Sequence, residues 1–200
     1  GVTLKDIRLT TFQNGQKQEA YNGKLLFTHF GISGPTVLNM SKAVGELLQY
    51  GAVTISLDLF PKYDHKELKE KLQTFLIAES NKKLKNTLRK LIPASLVSAI
   101  LTLAQVDGET ANHSVRREVR VALVSLMKNI PLHVKGLLGA DKAVVSSGGV
   151  ALKEVNFKTM QSRLTPNLYL VGDVLNIDRP SGGYSLQLCW TTGFVAGSNS

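Results

Sequence analysis

Asn167-Leu168-Tyr169-Leu170-Val171-Gly172-Asp173, followed at a short distance by Ser181-Gly182-Gly183-Tyr184-Ser185-Leu186-Gln187, decides how the rest of the chain is read. The near-continuous apolar run from Leu168 to Val171, introduced by Pro166-Asn167, has the pattern of a strand covered on both faces in a parallel sheet. Such a strand delivers Gly172-Asp173 to the carboxyl edge of the sheet, where open α/β folds bind ligands. A carboxylate there can accept hydrogen bonds from a sugar diol. The Gly182-Gly183 pair lets backbone approach a ligand closely, and a helix beginning at the glycines offers free N–H groups to negative charge.

Working outward, Gly148-Gly149-Val150 leads into this region, and the helix after Gly183 runs through Trp190 to Gly197. Its small residues Thr191, Thr192, Gly193, Ala196 and Gly197 are expected to allow close packing on the sheet. Toward the N-terminus the pattern is different. Val2 to Thr10 alternates like a half-buried strand. Asn14-Gly15 signals a hairpin, Gln16 to Tyr21 returns antiparallel, and Asn22-Gly23 predicts a second turn before Leu25-Leu26-Phe27. Thr28 to Pro35 is a glycine-punctuated loop with Ser33 near the N-cap and Pro35 at the first position of a helix over 36–50. Residues 52–60 are the clearest strand, stopped by Pro61.

From there the period changes. Asp64-His65-Lys66-Glu67 has capping-box spacing and predicts a helix to about Glu79. Helices over 82–92 and 94–105 follow, then one from Ser114 whose Val115, Val119, Ala122, Leu123, Leu126 and Met127 form one apolar stripe. Strand patterns resume at 132–138 and 143–145. The fold class is therefore mixed α+β and α/β. Residues 1–61 and 131–147 are read as an antiparallel β-barrel-like subdomain, 62–130 as an inserted helical subdomain, and 148–200 as the C-terminal part of a Rossmann-like domain.

Three stretches in order carry a family resemblance: Leu26 to Pro35; Gly148-Gly149-Val150 with Lys158-Thr159-Met160; and Tyr169 to Gln187. Together they resemble the HI0933/BaiN-like family of NAD(P)/FAD-dependent oxidoreductases, two-dinucleotide-binding-domain flavoproteins, over the latter half of a member. The resemblance implies FAD as cofactor, NAD(P)H as reductant and a small-molecule acceptor. It implies a cofactor-binding set of Gly172, Asp173, Val174, Gly182, Gly183, Tyr184 and Leu186, with Asp173 on the ribityl or ribose chain and the glycines, Tyr184 and Leu186 against the flavin's pyrimidine edge. The chain departs from the family's expected Asp-Gly turn at Asn176-Ile177-Asp178-Arg179-Pro180, where Arg179 would place a cation able to steady an anionic reduced flavin.

No two of the 17 glycines are two residues apart, so the Gly-x-Gly-x-x-Gly pyrophosphate fingerprint is absent from the sequence. In the resembled family that fingerprint lies at the extreme N-terminus. The chain is thus expected to be a fragment of an FAD enzyme, inactive by itself, whose partner is the missing N-terminal half. Catalytic residues are not assigned. His29, beside Phe27 and Phe30, is read as a structural hydrogen-bonding residue rather than an acid or base. Cys189, the single cysteine, sits mid-helix as a packed thiol, and the histidines at 29, 65, 113 and 133 have no metal-ligand spacing.

The formal charge of +9 raises a second class of function, a basic module that binds nucleic acid or an acidic partner. Residues 62–90 hold nine Lys or Arg against four Asp or Glu, but Tyr63 and Phe75 are their only aromatics, so base-stacking platforms are few. A solvated helix face is the plainer reading of this run. With no run near 20 apolar residues, no membrane partner is expected and the chain reads as cytoplasmic.

Overall fold

A computed structural model of the chain describes residues 1–144 and 147–200. The fold is mixed α+β, with a curled antiparallel half-barrel sheet and, among the described residues, six α-helices. The chain divides into two compact units, one of residues Gly1–Val37 with Glu46–Lys135, the other of Leu38–Gly45 with Gly136–Ser200. Among the described residues no helix is long and apolar enough to cross a membrane.

In the first unit, β1 (Val2–Gln13) and β2 (Gln16–Phe27) form a long hairpin. Asn14 and Gly15 make its two-residue turn with φ of 51° and 75°, the doubly positive geometry that matches strand twist. Asn22-Gly23 is not the second turn that the sequence suggests. The strand runs on through it, and the dipeptide sits beside a register shift, with Ile7 opposite Gly23 and Leu4 opposite Leu25. The extra residue on β1 moves the inward set from Leu4 to Ile7, Leu9 and Thr11, so both ends of the strand face the core. A second shift, between Thr10 and Phe12, adds to the curl.

β3 (Ile32–Ser33) extends the sheet on one side, and β4 (Val53–Asp58) and β5 (Ile130–Val134) on the other, giving the order β3-β2-β1-β4-β5. Pro131 is tolerated because β5 is an edge strand. Because Ser33 is consumed by pairing with Leu26, the N-cap of helix α1 (Pro35–Leu48) is Gly34 at φ 101° rather than Ser33, with Pro35 first in the helix as expected.

All the helices of residues 62–130 lie between β4 and β5. The capping box opens α2 (His65–Ala78): Glu67 N donates to Asp64 Oδ1 and Asp64 N to Glu67 Oε2, each at 2.8 Å. Helix α3 is only Leu84–Leu88, shorter than the expected 82–92, because Leu84 N and Lys85 N are drawn to the carbonyls of Thr110 and Gly108, and Pro93 disfavours helix at Ile92. α4 is Ala94–Leu103. α5 spans Arg117–Lys128 instead of starting at Ser114, since Asn112–Ser114 form a separate 3-10 turn. The two ends of this excursion are clamped where they leave the sheet. Lys128 Nζ, almost buried, donates to Asp58 Oδ2 at 2.7 Å and to the carbonyls of Phe60 and Tyr63 at 2.9 and 2.6 Å.

The second unit has a small core of Val155, Met160 and Leu175. β6 (Val155–Asn156) and β7 (Gln161–Ser162) make a tight hairpin, and α6 (Tyr184–Gly197) closes the chain. The run Leu168–Val171 is extended but is not a doubly covered parallel strand. It lies antiparallel beside 160–162 through Ser162 N to Leu168 O and Leu170 N to Met160 O, and both Leu168 and Val171 are exposed. Among the described residues no strand flanks it in parallel, so the apolar run has no second sheet neighbour to bury it. The strand expected over 143–145 is not formed at Ala143 and Val144, and Val145 lies outside the described residues.

Candidate functional site

The geometry of the second unit begins at Gly172, where φ of 65° turns the extended run into a 3-10 turn, Gly172–Val174. A side chain here would meet Cys189 Sγ at 2.8 Å, so the turn packs directly on α6. Gly172 N donates to Thr192 Oγ1 at 2.9 Å, and that hydroxyl in turn donates to Leu188 O at 2.7 Å. Of the small residues expected to seat α6, Thr192 is the one buried by this contact. Gly193 and Gly197 have open space beside them, so the helix does not use them for close approach. Cys189 lies against Gly172, as a packed thiol should.

Arg179 joins the turn to the helix. Its side chain is only 7% exposed, and its Nη2 reaches Asp173 Oδ1 at 2.5 Å, Nε donates to Ser185 Oγ at 3.1 Å, and Nη1 donates to Ile177 O. Ser185 is the second residue of α6, two positions after Gly183. One guanidinium therefore spans from the Asp173 carboxylate to the glycine-started helix. The loop carrying Arg179 is tethered in turn: Asn39 Oδ1 accepts from Ser181 N at 2.7 Å, and Asp178 pairs with Lys42 and accepts from Ser147 at 3.0 Å. Those contacts, Lys42 first and Ser147 next, hold the Asp178 carboxyl below its usual range.

Of the residues expected at a cofactor site, Gly172 and Asp173 are thus brought beside the start of α6, with Gly183 as its N-cap at φ 94° and Gly182 at φ 111°. No atom lies within 4 Å of where a side chain on either glycine would sit, so a ligand could approach the backbone. Val174, Tyr184 and Leu186 are exposed around them. The first N–H groups of α6 have no intrahelical acceptor. This arrangement fits a flavin: an outward carboxylate oxygen for a hydroxyl and bare helix-start amides for carbonyl or anionic oxygens. Sequence reasoning missed Ser185 and Thr192 as the groups that hold the turn to the helix. The trace of the latter in the sequence is its place among the small residues of the final helix, three positions after Cys189 and three before Val195.

His29 is exposed in the first unit, with its ring edge-on to Phe30 at 4.8 Å. Four cations of the charge run share two carboxylates. Lys82 and Lys90 flank Glu79, at 2.7 and 2.5 Å, while Lys83 and Lys85 share Glu109. The ammonium donors hold the carboxyls of Glu79 and Glu109 each at about 2, far below the ordinary value.

The family model of the HI0933-like protein barrel and H2TH domain matches residues 1–145, the half-barrel sheet and its helical excursion. The chain belongs to the HI0933-like family. It is 32% identical over 98% of its length to a ribosomal RNA dihydrouridine synthase of Escherichia coli, of which it covers 45%. It is 28% identical over 88% of its length to a 3-dehydro-bile acid delta(4,6)-reductase of Clostridium scindens, covering 43%. A ribosomal RNA dihydrouridine synthase of Haemophilus influenzae is 32% identical over 88% of the chain, with 42% covered. The chain spans less than half the length of these curated relatives.

Proposed function

We propose that this chain is the later part of an FAD-dependent reductase, in which the HI0933-like barrel and helices cover a substrate and the C-terminal unit supplies one side of the flavin site. The observation that carries the reading is the Asp173–Arg179–Ser185 connection, which fixes a carboxylate beside the start of a glycine-capped helix. The row Leu186, Trp190 and Phe194 adds support. These side chains are 59%, 67% and 77% exposed at successive four-residue steps along α6, the surface expected of a helix that packs on further protein.

The relatives' names narrow the chemistry. A dihydrouridine is a uridine that has taken up two hydrogens across a ring double bond, and a delta(4,6)-reductase also acts on carbon–carbon double bonds. The reaction class proposed for the whole protein is addition of a hydride and a proton to such a bond, with NAD(P)H oxidised to NAD(P)+. FAD, when bound, supplies the hydride-transfer chemistry; the redox step belongs to the cofactor. Asp173 holds a hydroxyl of the cofactor chain, Arg179 keeps that carboxylate in place, and the amides at 183–185 orient a polar edge. Between the two acceptors, RNA is the one we favour, because the RNA-acting relatives match at higher identity and the chain carries a +9 charge.

The test is the flavin content of the protein expressed from its complete reading frame, compared with Asp173→Ala and Gly183→Val. The expected result is flavin bound by the parent and lost or much weakened in both variants, with circular dichroism unchanged. Flavin retained unaltered in both would remove the assigned site.

A further inference from the structure

Helix α1 has two faces that can be told apart along its sequence. Thr36, Met40 and Val44, at four-residue steps, are buried. Asn39 and Lys42, one turn apart and off that stripe, are exposed polar residues that reach the loop before α6. Asn39 Oδ1 accepts from Ser181 N at 2.7 Å, and Lys42 Nζ donates to Asp178 Oδ2. All four residues belong to the second unit, which takes Leu38–Gly45 of this helix.

The two ties fall on either side of Arg179-Pro180. Asp178 immediately precedes the guanidinium that holds Asp173, and Ser181 immediately precedes the Gly182-Gly183 pair at the start of α6. The upstream end of the loop is pinned by a different segment. Val150 N donates to Val174 O at 2.8 Å and Asn176 N donates to Val150 O at 3.1 Å, while Ser147 Oγ gives Asp178 a second donor. Residues 174–176 are thus held by the 147–150 segment, and 178–181 by α1 as well. The glycine pair cannot fix its own path, because glycine ranges freely in φ and no atom lies within 4 Å of where a side chain on either would sit. Its position is set from outside, by Ser181 before it and by α6 after it. A loop ordered in advance spares a ligand the entropy cost of ordering it.

We propose that Asn39 and Lys42 are positioning residues of the cofactor site. Neither is among the residues assigned to touch FAD, and each acts through the loop. Lys42 works through Asp178 on Arg179, and so on the Asp173 carboxylate; Asn39 works through Ser181 on the glycine pair and the helix-start amides. The inference rests on the flavin reading above and names what sets the geometry of that site. The Lys42–Asp178 side chains are 47% and 53% exposed, so their pairing adds little to global stability. Loss of the ties should therefore be read at the site and not in the unfolding midpoint.

The experiment is a fluorescence titration of FAD into flavin-free protein expressed from the complete reading frame. The parent is compared with three variants: Asn39→Ala with Lys42→Met, Asn39→Asp with Lys42→Arg, and Asp173→Ala. Removing both ties should weaken FAD binding about tenfold, a few-fold for each contact. The unfolding midpoint of the flavin-free protein should stay unchanged, and amide exchange over 178–183 should quicken. The conservative pair keeps an acceptor and a cation, and should bind FAD within about threefold of the parent. If the first double variant fails to fold, Asp178→Asn removes the same charge pairing from the other side and should cost about threefold. The proposal is overturned, with the flavin site left standing, if Asp173→Ala weakens FAD binding while the loop-tie variants bind as the parent does. A loss that the conservative pair does not restore also overturns it, since the effect would then come from the packing of α1. FAD binding unchanged in Asp173→Ala would remove the flavin site itself, and the positioning role with it.

Discussion

The two units of this molecule handle apolar surface in opposite ways. In the first, Leu9, Leu25 and Leu57 on the sheet and Leu68, Leu72, Leu84, Leu88, Leu123 and Met127 among the helices are fully excluded from solvent. In the second, the local core is centred on Val155, Met160 and Leu175, while Trp190 and Phe194 of its terminal helix stand largely in water. The first unit completes its own core. The second is held by specific polar ties, among them Thr192 to Gly172 and Arg179 to Asp173, and presents the rest of its helix outward. The exposed face of α6 is what supports the proposal that further protein packs on this unit.

The sharpest challenge to that contrast is the clamp of the first unit. Lys128→Ala leaves Asp58 and two carbonyls without their donor in a nearly buried place, and should cost about 3–5 kcal/mol by urea unfolding. A loss below about 1 kcal/mol, the range of exposed pairs, would mean that the helical excursion does not depend on its closure. Leu72→Ala should cost about 2–5 kcal/mol through the cavity it leaves, and a value near zero would contradict a closed core. Gly172→Ala forces a side chain against Cys189 at φ 65° and should cost about 1–3 kcal/mol. Its signature is local: faster amide exchange in α6, with β1 and β4 unchanged.

Acid offers a gentler probe. The Glu79 and Glu109 carboxyls are held at about 2 against an ordinary 4.5, so their contribution is complete above that ordinary value and is lost as pH falls through about 2. Lowering pH from 5 to about 2 should therefore weaken the first unit, and Glu79→Gln should flatten that dependence. Smallest of all is Phe194→Ser. On an exposed face it should shift the stability of this chain by no more than about 0.5 kcal/mol, whereas a loss of several times that would show the face already buried.

What could be read from the sequence was what is decided within a few residues. The Asn14-Gly15 turn, the Asp64 to Glu67 capping box, Pro35 at the start of α1 and the glycine start of α6 depend on local backbone preferences, and the structure has each of them. The curl of the sheet was hidden, because Asn22-Gly23 carries a turn signal whose outcome is set by how β1 pairs with it. The run Leu168–Val171 was misread for a related reason: an apolar run states that it can be buried, not that a neighbour is there to bury it. Arg179 stood out as a departure from the family pattern, but its role as the tie between Asp173 and Ser185 depends on a folded loop no spacing rule describes. The pairing of Lys82, Lys83 and Lys85 with Glu79 and Glu109 is not legible from a charge count, because it depends on how the helical segment folds.

The most direct measurement is a titration of FAD into the 200-residue chain and into the protein of the complete reading frame, side by side. Stoichiometric, tight binding by the longer protein and weak or no binding by this chain is the expected outcome, since in the proposed site the C-terminal unit would provide one face of the cofactor and the sequence has no Gly-x-Gly-x-x-Gly pyrophosphate fingerprint. Tight binding by the 200 residues alone, or none by the longer protein, would contradict the account.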